Sequence, residues 1–138
     1  MTIVQIETSL ALQNVAEIAS VPGIDILFVG PFDLGINIGQ PITTGSPNEE
    51  LKKAILKVNE AAKQAGKKSG MFCTSGAQAR EYADIGFDMI NIATDVGGIQ
   101  AYFSEQLKAA KGSYAHSALN MAKGAVGKVS GGGGPYGK

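Results

Sequence analysis

Ile26-Leu27-Phe28-Val29-Gly30-Pro31-Phe32-Asp33-Leu34 is the stretch that decides the fold. A large apolar run, unbroken by a polar residue, describes a strand covered on both faces, as parallel sheets have. Gly30 and Pro31 stop the run, and Asp33 follows the turn. A second run, Ile3-Val4-Gln5-Ile6, stops on Glu7. In βα-repeat proteins, functional groups collect at the carboxyl ends of parallel strands, where the loops converge on a ligand. Two acids on that rim, with no Cys or His nearby, suit a hard divalent cation such as Mg²⁺ or Mn²⁺ rather than zinc.

Working outward, four β-type runs alternate with helical patterns: Thr2–Ile6, Asp25–Gly30, Lys68–Cys73 and Met89–Thr94. Thr8 or Ser9 opens a first helix with Leu12, Val15, Ile18 and Ala19 as its stripe, and Val21-Pro22-Gly23 closes it. Ser46-Pro47-Asn48-Glu49 reads as a capping box with Pro at the first helical position. Leu51, Ala54, Ile55, Val58, Ala62 and Ala65 form the stripe of that helix, and Gly66 ends it. Ser75-Gly76-Ala77-Gln78 repeats the box, with Gly86 as the stop. Asp95 caps a last helix whose Ile99, Tyr102, Phe103 and Leu107 share a face. The class is therefore α/β, four βα units with right-handed crossovers and a parallel sheet. After Gly112 the character changes: Ser113–Lys123 suits a short helix, and Gly131-Gly132-Gly133-Gly134 cannot bury enough to offset its chain entropy. The expected division is a domain at 1–112 and a flexible or arm-like Gly-rich tail at 113–138.

A chain of 138 residues suits one domain with a modest core. Lys plus Arg and Asp plus Glu balance at 12 each, so no global field favours nucleic acid or an anionic membrane. Beyond Glu105 only bases remain (Lys108, Lys111, Lys123, Lys128 and Lys138), which reads as a solvated end. A single cysteine, Cys73, rules out an internal disulfide framework and fits a reducing compartment. No secretory signal and no membrane-length apolar stretch is visible, so the expectation is a soluble, cytoplasmic protein.

Each acid has a plainer reading. Glu7 suits a solvated loop or a helix cap, and Asp33 suits the N-cap of a short helix. As ligands they lie one βα unit apart, so neighbouring strand ends bring them together, as a two-carboxylate Mg²⁺ site requires. Gly30 lets backbone approach a ligand closely, and Pro31 fixes the turn.

These residues carry a resemblance. Gln5-Ile6-Glu7-Thr8, Val21-Pro22-Gly23-Ile24-Asp25 and Phe28-Val29-Gly30-Pro31-Phe32-Asp33-Leu34 resemble the second half of the HpcH/HpaI aldolases, class II pyruvate-dependent enzymes on a (β/α)₈ TIM barrel. The likeness continues through Ala65-Gly66-Lys67-Lys68-Ser69-Gly70, Tyr82–Asp88 and Ile92-Ala93-Thr94-Asp95, over roughly residues 3–110. It implies that Glu7 and Asp33 are ligands of Mg²⁺, Mn²⁺ or Co²⁺, and that the metal chelates pyruvate and stabilises its enolate. The loop Gly30–Asp33 (Gly30, Pro31, Phe32 and Asp33) would offer backbone N–H groups to the pyruvate carboxylate, Pro31 shaping the turn without an N–H of its own. Met71 or Phe72, at the next strand end, would line the site, although core packing explains both equally well.

The family's first four βα units, with an Arg that steadies the enolate and a His that assists proton transfer, have no counterpart here. His116 lies beyond the matched region as a surface residue, and Arg80 lies inside a predicted helix. A metal without its base would lose about two to four orders of magnitude in rate. Dinucleotide and P-loop motifs are absent, Gly127-Lys128-Val129 failing at its last position, and Cys73 and Ser75 have no base. The leading expectation is a metal-dependent lyase cleaving 4-hydroxy-2-oxo acids to pyruvate and an aldehyde, or decarboxylating oxaloacetate, once a full site is assembled. The competing expectation is a catalytically silent relative that persists as an oligomeric binding, structural or antigenic protein. Either way, a half-barrel leaves two unpaired sheet edges, which predicts a homo-oligomer.

Overall fold

The computed structural model describes residues 1–129, with side chains through Gly112 and at Met121. A first compact unit spans Met1–Thr94, and a second begins at Asp95. In the first, β1 (Ile3–Ile6), β2 (Ile26–Val29), β3 (Lys68–Phe72) and β4 (Met89–Asn91) form a parallel sheet in the order β1-β2-β3-β4. The helices between them are α1 (Ser9–Gln13), α2 (Val15–Ser20), α3 (Pro31–Asn37), α4 (Glu49–Gln64) and α5 (Gly76–Ile85). This is the four-βα architecture of a partial TIM barrel, as the alternating pattern predicts.

Register divides the sheet into two unlike faces. Ile6, Val29, Met71 and Ile90 stand in one row, and Gln5, Phe28, Gly70 and Met89 in the next. Side chains alternate along a strand, so the two rows point to opposite sides. Ile6, Leu27, Val29, Met71 and Cys73 join Val15, Leu34, Leu51, Ile55, Val58 and Tyr82 in one core against the helices. On the other face Ile3 and Met89 remain 39% and 40% exposed. The expectation of strands covered on both faces is thus corrected: the core of this unit lies on one face only. An apolar run records low polarity, not which layer covers it.

Two of the predicted helix starts hold in modified form. Asn48, not Ser46, caps α4, its side-chain oxygen accepting from the Leu51 N–H at 2.9 Å. Asn caps as well as Ser, and this start places Glu49 and Glu50 in the first turn, where the helix dipole favours acids. Ser75 caps α5 by accepting from the Gln78 N–H, while the Gln78 side chain accepts from the Thr74 N–H. Gly86 ends α5 in the left-handed region at φ 99°. The first predicted helix is two, broken at Asn14, with Thr8 capping the first.

The lower end of the sheet is pinned by charge. Lys68 Nζ donates to Asp88 Oδ1 at 2.7 Å, and the Ser69 N–H donates to Asp88 Oδ2 at 3.1 Å. The Lys68 hydrogen bond, seconded by that backbone donor, lowers the Asp88 carboxyl below its ordinary value. A depressed carboxyl contributes stability that is full above the unfolded pKa, about 3.9, and is lost as pH falls through the lower folded value. The urea midpoint should therefore fall on acidification below about pH 4, and Asp88→Asn should remove part of that slope.

The second unit is helix α6 (Asp95–Val129). It runs without interruption past Gly112 and Gly124, so the expected short helix at Ser113–Lys123 is one portion of it. Ile99, Tyr102, Phe103 and Leu107 are all exposed rather than core. The tetraglycine at 131–134 lies outside the described residues. No described helix is long and apolar enough to cross a membrane.

Candidate metal and substrate site

The site forms where β1 and β2 end side by side. Ile6 and Val29 are register partners, so Glu7 and Gly30, each one residue further on, are neighbours. Gly30 is the N-cap of α3 and Pro31 its first residue, a position where a missing N–H costs nothing. Asp33 thus falls in the first turn of α3, as the third residue of the helix rather than its cap. The Leu34 N–H already donates to the Gly30 carbonyl at 2.9 Å. The N–H groups of Phe32 and Asp33 precede it and have no partner within the helix.

A side chain at position 30 would displace the Gln5 amide. A Cβ there would stand 2.5 Å from Gln5 Nε2 and 3.4 Å from Glu7 Oε2. Gln5 Nε2 in turn donates to Glu7 Oε2 at 2.5 Å. Gln5 and Glu7 lie two residues apart at the end of β1, so one face presents both. Gln5 therefore holds the carboxylate at the rim, and Gly30 leaves it room.

A cavity of about 330 Å³ opens beside this pair, lined by Gln5, Phe28, Gly30, Pro31, Phe32, Asp33 and Phe72. Phe32 and Phe72 meet edge to face, with ring centroids 6.2 Å apart. Five sequence-predicted residues (Gly30, Pro31, Phe32, Asp33 and Phe72) thus share one wall. Glu7 adjoins it through Gln5 and Gly30 without lining it. Met71 does not belong there: it is fully buried in the core against the helices. The reason is alternation, because Met71 and Phe72 are adjacent on β3 and must face opposite sides. Gln5 and Phe28 are lining residues that sequence reasoning did not single out. The period-two spacing from Gln5 to Glu7 and from Phe28 to Gly30 was the available signal.

The donor set fits a hard cation. Among the described residues no cluster of three or more His, Cys, Asp and Glu side chains occurs, so this is not a closed protein cage. Mg²⁺ is commonly held by one or two carboxylates while water and substrate oxygens complete its octahedron. Neither Glu7 nor Asp33 is committed to an ion pair among the described residues.

Cys73 is not a competing nucleophile. It is fully buried beyond the end of β3, and burial, with Glu81 assisting, pushes its thiol up to about 11. The thiolate is the reactive form. Alkylation by iodoacetamide at pH 8 should be roughly a hundredfold slower in the native chain than in denaturant.

The HpcH/HpaI aldolase/citrate lyase family model matches residues 1–100, which contain this entire site. The chain belongs to that family. A hydroxypyruvate/pyruvate aldolase of Rhizorhabdus wittichii is 43% identical over 96 residues, covering 70% of this chain and 38% of that protein. The crystal structure of an HpcH/HpaI aldolase/citrate lyase family protein from Burkholderia cenocepacia matches with TM-score 0.72 and 34% identity, over 79% of this chain and 42% of that one. CitE from Mycobacterium tuberculosis, solved with magnesium and acetoacetate, shares the fold at TM-score 0.59 and 20% identity, over 67% of this chain and 43% of that chain. The chain thus spans about two fifths of the length of these HpcH/HpaI relatives.

Proposed function

We propose that this chain carries the metal- and pyruvate-binding portion of a class II aldolase, a carbon–carbon lyase that releases pyruvate from 4-hydroxy-2-oxo acids. The observation that carries this reading is the pair Glu7 and Asp33 at the adjoining ends of β1 and β2, in a chain of the aldolase/citrate lyase family. Glu7 and Asp33 would hold Mg²⁺, Mn²⁺ or Co²⁺. When bound, such a cation supplies Lewis-acid stabilisation of the negative charge that develops on a 2-oxo acid. Gln5 orients Glu7 through its 2.5 Å hydrogen bond. Phe28, Phe32 and Phe72 give the cavity an apolar wall, and the first-turn N–H groups of Phe32 and Asp33 would receive the substrate carboxylate. All of these residues lie within 1–112, and 113–138 is assigned no part in binding.

One observation favours a second reading, a silent oligomeric relative. The cavity lining contains no His, Lys, Arg or Cys, so it presents no group suited to general acid–base work near neutral pH. Binding therefore tests the proposal before turnover does. Mn²⁺ titrated calorimetrically into chelator-treated chain should bind, and saturating pyruvate should tighten that binding. Absence of heat with and without pyruvate would leave the silent relative as the better description. Homo-oligomer formation belongs to both readings.

A further inference from the structure

We propose that a second cavity, between the starts of α4 and α5, binds a phosphate group that keeps a proton, either as the free ion or as a small monoester. The inference does not rest on the metal–pyruvate reading. The cavity holds about 220 Å³, and Ser46, Lys52, Ser75, Ala77, Glu81 and Tyr82 are among the residues that line it. Pockets for drug-sized ligands run to roughly 300–1,000 Å³, so its occupant is small. It shares no lining residue with the Phe28–Phe72 cavity. Its residues lie between β2 and β4 in the chain, and neither edge strand of the sheet contributes to it.

Tyr82 supplies the observation that points to a ligand. It is 3% exposed, and its ring packs edge to face on Phe87. Its hydroxyl nevertheless has no hydrogen-bond partner among the described residues. Buried polar groups are ordinarily paired. Asn91 Nδ2 is the one sealed, unpaired side-chain polar atom among those residues, so the Tyr82 hydroxyl is not sealed and opens into the cavity that Tyr82 lines. Helical side chains lean toward the N-terminus, which carries this hydroxyl toward the first turn of α5. Burial, with Glu81 and Cys73 adding to it, pushes the phenol up to about 12, so it remains a donor.

Other donors converge on the same space. Ala77 is the second residue of α5, and its N–H has no acceptor within the helix. Ser75 Oγ accepts from the Gln78 N–H at 3.3 Å and keeps its own proton to give. Lys52 is tied among the described residues only to Glu49, at 3.5 Å, and 38% of its side chain is exposed. With Ser46 and Tyr82 these make five donors, against one carboxylate, that of Glu81. Such donors at the positive end of a helix dipole favour an oxyanion. An ionised carboxylate only accepts, so Glu81 repels a bare anion and suits one that retains a proton. Phosphate retains one near pH 6, whereas sulfate retains none.

The test is calorimetric titration of inorganic phosphate into the full, chelator-treated chain at about pH 6, with circular dichroism to verify that each variant folds. Phosphate should bind, and saturating pyruvate should not displace it. Lys52→Met and Tyr82→Phe should each weaken binding about tenfold or more, as loss of a hydrogen bond to a charged group does. Sulfate should bind at least tenfold more weakly than phosphate, and Glu81→Gln should close that gap. Methyl phosphate separates the sources: tighter binding than inorganic phosphate assigns the site to a monoester, and weaker binding assigns it to the free ion. No heat with either phosphate, or binding that both folded variants leave unchanged, would overturn the site. Equal binding of phosphate and sulfate by the unmodified chain would overturn protonated phosphate as its ligand.

Discussion

Asp33→Asn is expected to weaken Mn²⁺ binding by about 100-fold or more, with little change in stability. Loss of groups that merely orient metal ligands costs 10–100-fold in affinity, and loss of a ligand should cost at least as much. Asp33 is exposed, and no described side chain forms an ion pair with it. The fold should therefore lose only its favourable place in the first turn of α3, about 1 kcal/mol or less. Glu7→Gln should weaken Mn²⁺ comparably while keeping an acceptor for Gln5. If either variant binds Mn²⁺ as well as the unmodified chain, with pyruvate present, that residue is not a ligand.

Met71→Ala and Phe72→Ala, adjacent on β3, should have opposite signatures. Met71 is fully buried, and truncating such a residue costs about 2–5 kcal/mol through lost transfer energy and the cavity left behind. Urea unfolding should show a midpoint shifted strongly downward for Met71→Ala. Phe72 is half-buried and touches Phe32 across the cavity, so its truncation should cost less stability. It should instead reduce the tightening of Mn²⁺ binding by pyruvate, because the apolar wall that sheds water is opened. Equal destabilisation by the two, with no effect of Phe72→Ala on pyruvate, would mean that the wall plays no part in binding.

Much of the fold was legible because its signals are local. The runs around Val4, Leu27, Gly70 and Ile90 place the four strands, trimmed by a residue or more at their ends. Gly86 marks the end of α5 and Gly66 follows that of α4, since both occupy the left-handed region that other residues avoid. Competing caps were harder to rank. Ser46 and Asn48 offer similar chemistry two residues apart, and only the path of the 40–48 loop selects between them. The faces were harder still. Ile99, Tyr102, Phe103 and Leu107 have the spacing of a buried stripe, yet helical spacing does not reveal what lies opposite it, and they are exposed.

For the proposed site, sequence alone pointed to Glu7, Gly30 and Asp33, because an acid or glycine at or just beyond the end of an apolar run stands out without three-dimensional context. It could not separate Met71 from Phe72, nor promote Gln5 and Phe28, because strand register determines which side chains share a face. Tertiary structure decided those points. It set Gln5 against Glu7 across the space that Gly30 leaves, and it gave the sheet one covered face and one open face. Chain order carries local preference and spacing, whereas only the pairing of strands brings residues distant in sequence within hydrogen-bonding reach.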